Sequence, residues 1–176
     1  LEAYLALAES STQPPAPRLF LMHGLSGSGK STAAMELAGR VGAIRIRSDV
    51  ERHRLFGEAS TKEAVGSGKY APEATERVYA RLLELAQSLL QAGVPVVVDA
   101  TFLRAVQRGP FVKLAKERGV SLCIIETWCE TELMRERITE RRREGRDAAE
   151  ATEAVLEHQM ARVEPVIEAG PLAYVE

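Results

Sequence analysis

Cysteine is nearly missing from this sequence, with two residues in 176, Cys123 and Cys129. Both fall on or beside one predicted strand, so they suggest neither a disulfide framework nor a metal spacing. They read as buried thiols of a cytoplasmic protein. Histidine is equally sparse, and His23, His53 and His158 are scattered with no metal-ligand spacing. Aromatic residues make up only 5%. Among them Trp128 and Tyr174 read as packing residues, and nothing sets Tyr70 or Tyr79 apart as substrate contacts. Neither sign of charge is in excess, with 23 basic against 25 acidic residues and a net charge of −2. That balance supplies no global attraction for nucleic acid or an anionic membrane. No apolar run is long enough to cross a bilayer, and no secretory pattern opens the chain. What remains is an ordinary globular balance, 45% hydrophobic and 27% charged, at a length that fits one domain with a sizeable core.

The chain starts at Leu1, and residues 1–8 read as the end of an apolar helix. Residues 10–17 are polar and then proline-rich, the composition of a linker. The expectation is a two-part organisation, with residues 1–17 closing a preceding unit and 18–176 forming the compact domain. On that reading a fused N-terminal domain precedes this segment.

From residue 18 onward the pattern alternates. Residues 18–23 and 94–99 are short apolar runs that read as buried strands, and 43–47 and 120–127 read as the second and fourth strands. Between them, helical spacing predicts helices over 30–40, 49–56, 72–92, 104–118, 131–143 and 147–161. Residues 57–70 read as a surface segment, and 172–176 as a strand at the end of the chain. Strands apolar on both faces, alternating with helices, imply a parallel sheet covered on both sides, an α/β three-layer fold. Ligands of such sheets bind beyond the carboxyl ends of the strands.

One motif stands at such an end. Gly24-Leu25-Ser26-Gly27-Ser28-Gly29-Lys30-Ser31 fits G-x-x-x-x-G-K-[ST], after a strand and ahead of a helix. Its glycines let the backbone curl so that successive N–H groups converge on phosphate oxygens, and the helix adds its positive end. Lys30 carries a full charge to the β and γ phosphates, the Ser31 hydroxyl suits Mg²⁺, and Thr32 completes the nucleotide-binding run. ATP and Mg²⁺ are therefore the expected cofactors. A guanine-reading Asn-Lys-x-Asp is missing, which argues against GTP.

Two acids stand at other strand ends. Asp49 follows the second strand and is read either as a general base for an incoming hydroxyl or as a helix cap. Arg52, three residues on, shares its helix face and can grip an anionic part of an acceptor. Asp99 closes the run Val94–Val98, where a carboxylate is costly unless solvated, paired or holding a cation. A Mg²⁺ ligand is one reading of it and a cap for the next segment the other. Ala100 follows, where many water-activating ATPase motors have a second carboxylate, so a motor is disfavoured.

Arginines crowd residues 135–146, interleaved with Glu132, Glu136, Glu140 and Glu144. The acids argue against a basic patch and leave two readings, a solvated helix with internal pairs and a small lid. In the lid reading Arg137 and Arg141, one turn apart, serve the nucleotide, one stacking on its base and the other neutralising its phosphates. Gly145 would then lend the flexibility for closure.

These pieces together resemble the small P-loop kinases related to adenylate kinases, gluconate kinases and polynucleotide 5′-hydroxyl kinases. They resemble most a group of ATP-dependent kinases with an AAA-type label, often fused behind an aminoglycoside phosphotransferase-like domain. The resemblance rests on Gly24–Ser31, Ser48-Asp49-x-x-Arg52, Val96–Thr101 and Arg137-x-x-x-Arg141, and runs from about residue 18 to the end. It implies a five-stranded sheet of order 2-3-1-4-5, Asp49 and Arg52 as base and acceptor-phosphate ligand, and Arg137 and Arg141 as lid arginines that contact adenine and phosphates. Residues 57–70 depart from the nucleoside monophosphate kinases, so that acceptor site does not transfer. The expectation is a phosphotransferase acting on a hydroxyl of a small molecule or nucleotide, with a polynucleotide end disfavoured by the charge balance. An ATP-sensing module that controls the fused domain is the alternative.

Overall fold

In the computed structural model, β1 (Arg18–His23) is buried from Leu19 onward and lies between β3 (Val96–Asp99) and β4 (Ser121–Thr127), parallel to both. The structure describes residues 16–57, 71–143, 152–167 and, for their backbone, 172–175. Strand β2 (Ile44–Arg47) pairs with the outer side of β3, with Arg47 opposite Asp99. Leu172–Val175 (β5) continues the sheet beyond β4, giving the order β2-β3-β1-β4-β5 with every pairing parallel.

Alternation along the strands divides the core. Leu19 and Leu21 of β1, with Val96 and Val98 of β3, point to one face. There they meet Val78, Leu82, Ala86 and Leu90 of α3 (Pro72–Gln91) and Phe111, Leu114 and Ala115 of α4 (Ala105–Arg118). Phe20, Met22, Val97 and Ile125 point the other way, onto Ala34 of α1 (Lys30–Val41). Two helical layers thus enclose the sheet, and each fully buried leucine or phenylalanine contributes roughly 1.5–3 kcal/mol. A third, smaller cluster joins Met134 and Ile138 of α5 (Thr131–Arg143) to Leu156 of α6 (Glu153–Met160), with Leu25 and Cys129 packed against it.

Element ends differ from the sequence pattern where caps decide. Strand β3 starts at Val96 because Gly93, at φ 78°, ends the preceding turn and the Val94 N–H returns to the Leu89 carbonyl. Strand β2 starts at Ile44, and the edge position leaves that residue 45% exposed. Helix α2 (Ser48–Phe56) begins one residue before Asp49, with Arg47 at its N-cap. Helix α6 is capped by Thr152, whose hydroxyl accepts from the Val155 N–H at 3.3 Å, and it stops at Met160. The part of that expected helix over 147–151 lies outside the described residues, as do residues 1–15, 58–70 and Gly145. Trp128, expected in the packing, is 55% exposed.

Candidate active site at the phosphate loop

Residues 24–29 leave the central strand and enter α1 through three glycines at positive φ: Gly24 at 142°, Gly27 at 86° and Gly29 at 94°. Two of them are also close-packed. A Cβ on Gly24 would lie 2.5 Å from the Thr127 carbonyl oxygen, and one on Gly27 would lie 2.7 Å from that of Met134. Glycine is therefore required twice over at these positions, by backbone geometry and by space.

The flanks of the loop are tied to its neighbours. The Gly24 N–H donates to the Thr101 carbonyl at 3.2 Å, and the Ser28 and Thr127 hydroxyls bond at 2.7 Å. Thr127 in turn donates to the His23 carbonyl. The crest is held by α5 and α6. Arg137 donates to the Gly27 carbonyl at 3.2 Å, the Cys129 thiol approaches the same oxygen at 3.8 Å, and the Gln159 side-chain oxygen accepts from the Ser26 N–H at 2.8 Å.

Lys30 is buried at 8% exposure, its ammonium donating to the Leu25 carbonyl at 2.5 Å and the Ser28 hydroxyl at 3.5 Å. Burial pulls its pKa down to about 8. The Asp99 carboxylate opposes that shift, and Arg141 adds to it. Lys30, Asp99 and Arg141, from three different elements, therefore share one electrostatic neighbourhood. Ser31 and Thr32, which follow on α1, are exposed.

Asp99 is 6% exposed at the end of β3 and accepts twice at Oδ2 from Arg45 of β2, from Nε at 3.0 Å and Nη2 at 2.5 Å. Asp49, in the first turn of α2, accepts from both Nε and Nη2 of Arg47 and from the Val50 N–H at 2.8 Å. Arg45 and Arg47 are two apart on one strand, so they share a face, and each engages one of the candidate acids. Arg52 is half-buried on α2 and lies near enough to Tyr79 for its charge to favour the phenolate. Arg137 and Arg141 are half-buried on one face of α5, with Arg141 Nε donating to the Arg137 carbonyl at 3.1 Å.

Composition and spacing left Arg45, Tyr79, Arg108 and Gln159 unassigned. Tyr79 is buried, its hydroxyl accepting from the Phe102 N–H at 3.1 Å and lying 3.3 Å from that of Thr101, and burial raises its pKa. Phe102 is fully buried with φ at 48°, an uncommon conformation for a non-glycine residue. Its ring meets those of Tyr79 and Phe111 edge-on, and its carbonyl takes hydrogen bonds from Arg108 and His23. Burial lowers the His23 pKa, so the neutral imidazole is favoured there. Nothing in the spacing singles out Arg45, which alternates with Arg47 along Ile44-Arg45-Ile46-Arg47 and meets Asp99 only through the pairing of β2 with β3.

A phosphate loop on the central strand of a parallel sheet, with an acid closing the neighbouring strand, defines a P-loop domain of the kinase-like type. The chain belongs to the AAA domain family, whose model matches residues 19–166. It is 30% identical over 161 residues to an uncharacterised protein of Mycobacterium tuberculosis (strain ATCC 25618 / H37Rv), covering 90% of this chain and 32% of that one. The chain thus spans about a third of the length of the curated relatives it matches. Among solved structures it is similar to a sugar kinase from Janibacter sp. HTCC2649, with a TM-score of 0.67 and 19% identity over 90% of this chain and 84% of that one. It is also similar to the APS kinase CysC of Mycobacterium tuberculosis in complex with AMPPNP and APS, with a TM-score of 0.66 and 19% identity over 93% and 91% of the two chains. These likenesses establish the fold.

Proposed function

We propose that this domain is an ATP-dependent phosphotransferase that moves the γ-phosphoryl group to a hydroxyl of a small molecule or nucleotide. The observation that carries the reading is the phosphate loop itself, three positive-φ glycines leading from the central strand into α1 with Lys30 buried against the loop's Leu25 carbonyl. An ammonium for the phosphate chain stands on the loop, and Asp99, a carboxylate for its counter-cation, ends the neighbouring strand and acts electrostatically on it. The kinase neighbours of the same fold support the reaction class.

In this reading the loop amides and Lys30 hold the β and γ phosphates. Asp49 accepts the proton of the acceptor hydroxyl as its oxygen bonds to Pγ and the bond from Pγ to the β–γ bridging oxygen breaks, releasing ADP. Arg47 occupies part of the Asp49 carboxylate, but each oxygen has two lone pairs, so a hydroxyl can share it. Arg52 grips an anionic part of the acceptor, while Arg137 and Arg141 offset charge during transfer as part of a small arginine-rich lid.

Mg²⁺ fits the donor set. Ser31 and Asp99 offer hard oxygen ligands, and Mg²⁺ is commonly held by one or two carboxylates together with substrate phosphates. Among the described residues there is no group of three or more His, Cys, Asp or Glu that could hold a metal ion. When bound, the ion would neutralise the β and γ oxygens.

The test uses labelled ATP, magnesium and a pool of hydroxyl-bearing metabolites. Asp49→Ala should keep ATP binding and lose transfer by about 10²–10⁴-fold. Normal transfer by Asp49→Ala would remove its role as base, and no calorimetric heat with any nucleoside triphosphate would remove the whole reading.

The relatives are about three times as long as this chain, which favours a second reading, an ATP-sensing module that controls a fused domain of the aminoglycoside phosphotransferase-like type. Lys30→Ala in the longer protein would then change the activity of the other domain, with no acceptor phosphorylated here. A cytoplasmic setting fits either reading. Among the described residues no helix is long and apolar enough to cross a membrane.

A further inference from the structure

The two oxygens of the Asp49 carboxylate are not equivalent. Arg47 donates from Nε to Oδ1 at 3.1 Å and from Nη2 to Oδ2, a two-pronged grip. The Val50 N–H donates to Oδ1 as well, at 2.8 Å. Each oxygen of an ionised carboxylate offers two acceptor positions. Oδ1 is therefore filled, while among the described residues Oδ2 receives Arg47 alone. One acceptor position is left, and it belongs to Oδ2.

The grip has a fixed origin. Arg47 is the last residue of β2, extended at φ −122° and ψ 130° and in register with Asp99 of β3. The chain turns into α2 directly after it, which places Asp49 two residues on, in the first helical turn. Through Arg47 the carboxylate is thus tied to the same sheet that carries the phosphate loop. The Asp49 side chain keeps 17% exposure, so it is accessible, while three hydrogen bonds oppose its rotation.

We propose that Arg47 is a positioning residue for phosphoryl transfer, orienting Asp49 so that Oδ2 takes the proton of the acceptor. This role rests on the proposed function, in which Asp49 is the base. With water as the acceptor, the water oxygen bonds to Pγ and its proton passes to Oδ2. The bond from Pγ to the β–γ bridging oxygen breaks, releasing ADP and phosphate. An untethered carboxylate presents either oxygen at varied distances, and a misplacement of about 1 Å costs on the order of 10²-fold in rate. Arg47 acts on the rate through Asp49, and not on the hold on the nucleotide.

The experiment measures ATP hydrolysis with magnesium, and transfer from labelled ATP to a pool of hydroxyl-bearing metabolites. It compares the wild type, Arg47→Ala, Arg47→Lys, Asp49→Ala and Arg47→Ala/Asp49→Ala. Arg47→Ala should lower kcat by about 10–10²-fold and leave KM for ATP unchanged. Arg47→Lys should recover part of that loss, because it keeps the charge without the planar fork. With Asp49→Ala already present, Arg47→Ala should lower the rate no further, since nothing remains for it to orient. A merely structural role would lower the rate in both backgrounds and move KM with it. Equal losses in both backgrounds, or a wild-type rate in Arg47→Ala, overturn the proposal. Thermal melts identify an unfolded variant, and if Arg47→Ala is one, Arg47→Lys with and without Asp49→Ala takes its place. The two readings fail separately. A wild type that binds no nucleotide, or binds it and transfers phosphate to neither water nor the pool, removes the proposed function. A wild-type rate in Asp49→Ala removes the base, and the role of Arg47 with it. Loss in Asp49→Ala with none in Arg47→Ala removes the role of Arg47 alone.

Discussion

Arg45 and Asp99 are joined across adjacent strands, with the guanidinium of β2 donating twice to one oxygen of the carboxylate that ends β3. The arginine is 18% exposed and the aspartate 6%, so the pair lies largely out of water. Two such charges stay together because separating them leaves one buried and uncompensated. A single oxygen, Oδ2, takes both of these bonds. The pair can therefore fix the carboxylate in the position from which it acts on Lys30.

Removing the cation should show its weight. Arg45→Met is expected to destabilise the fold by about 2–4 kcal/mol, because Asp99 remains buried without its partner. Arg45→Met/Asp99→Asn should recover part of that loss while remaining defective in magnesium-dependent nucleotide binding. Urea denaturation of the single and double variants checks the first claim, and nucleotide titration with and without magnesium the second.

The glycines of the loop should differ in a defined order. Gly27→Ala places a methyl 2.7 Å from the Met134 carbonyl oxygen and 2.9 Å from its Cα, both backbone atoms of α5. Gly29→Ala meets nothing closer than an Arg137 nitrogen at 3.8 Å, although its φ of 94° still strains any side chain. Gly29→Ala should cost about 1–2 kcal/mol from strain alone, and Gly27→Ala more, because α5 must also shift. Reversal of that order in thermal melts would show that α5 is not packed on the loop crest.

The alternating layers, the phosphate loop and the acids at the strand ends were legible because each is written in local spacing: period 2 for strands, period 3.6 for helices, glycines ahead of Lys30. The partners of those acids were not legible. Arg45 and Asp99 are 54 residues apart, and only the pairing of β2 with β3 brings them together. Gln159 and Ser26 are 133 apart, and their contact depends on α6 docking against α5 through Leu156. From spacing alone Asp49 is a base or a cap. The structure puts it inside the first turn of α2, with Arg47 at the cap position and also its ion-pair partner, a relation that two-residue spacing alone does not announce.

Arg108 is the largest fully buried side chain and lies at 0% exposure. Its guanidinium donates to the carbonyls of Phe102 at 2.9 Å, Glu164 at 3.3 Å and Pro165 at 2.8 Å. It thereby ties the loop after β3 to the segment after α6, a link that the Glu164 N–H repeats by donating to the Leu103 carbonyl. Arg108→Met should cost about 3 kcal/mol, since the Glu164 and Pro165 carbonyls lose this donor and the buried Phe102 carbonyl keeps only His23. Arg108→Lys should rescue only part of this, because a single ammonium cannot reproduce the planar fork. Chemical denaturation of both variants decides between a structural tie and a dispensable contact.

The pH dependence of nucleotide binding should report Lys30 directly. Burial lowers its pKa to about 8 from an ordinary 10.5, so between those values the unfolded chain holds more protons at this position than the folded one. Stability then rises with pH across that window as the cost of burying the charge is relieved, and below about pH 8 the cost is fully present. Binding works in the opposite sense. A polyphosphate beside the ammonium favours its charged form, so the pKa rises again when nucleotide enters. At pH 8.5 part of the free protein carries neutral Lys30, and ATP binding must draw a proton from solvent. Calorimetry in two buffers of different ionisation enthalpy should therefore show proton uptake at pH 8.5 that fades toward pH 7. Lys30→Met should abolish the uptake while leaving the fold intact or more stable near neutral pH, because a buried charge has been removed. Equal apparent enthalpies in the two buffers at pH 8.5 would mean that Lys30 already holds its proton there, and that Asp99 offsets burial more strongly than the position of the side chain implies.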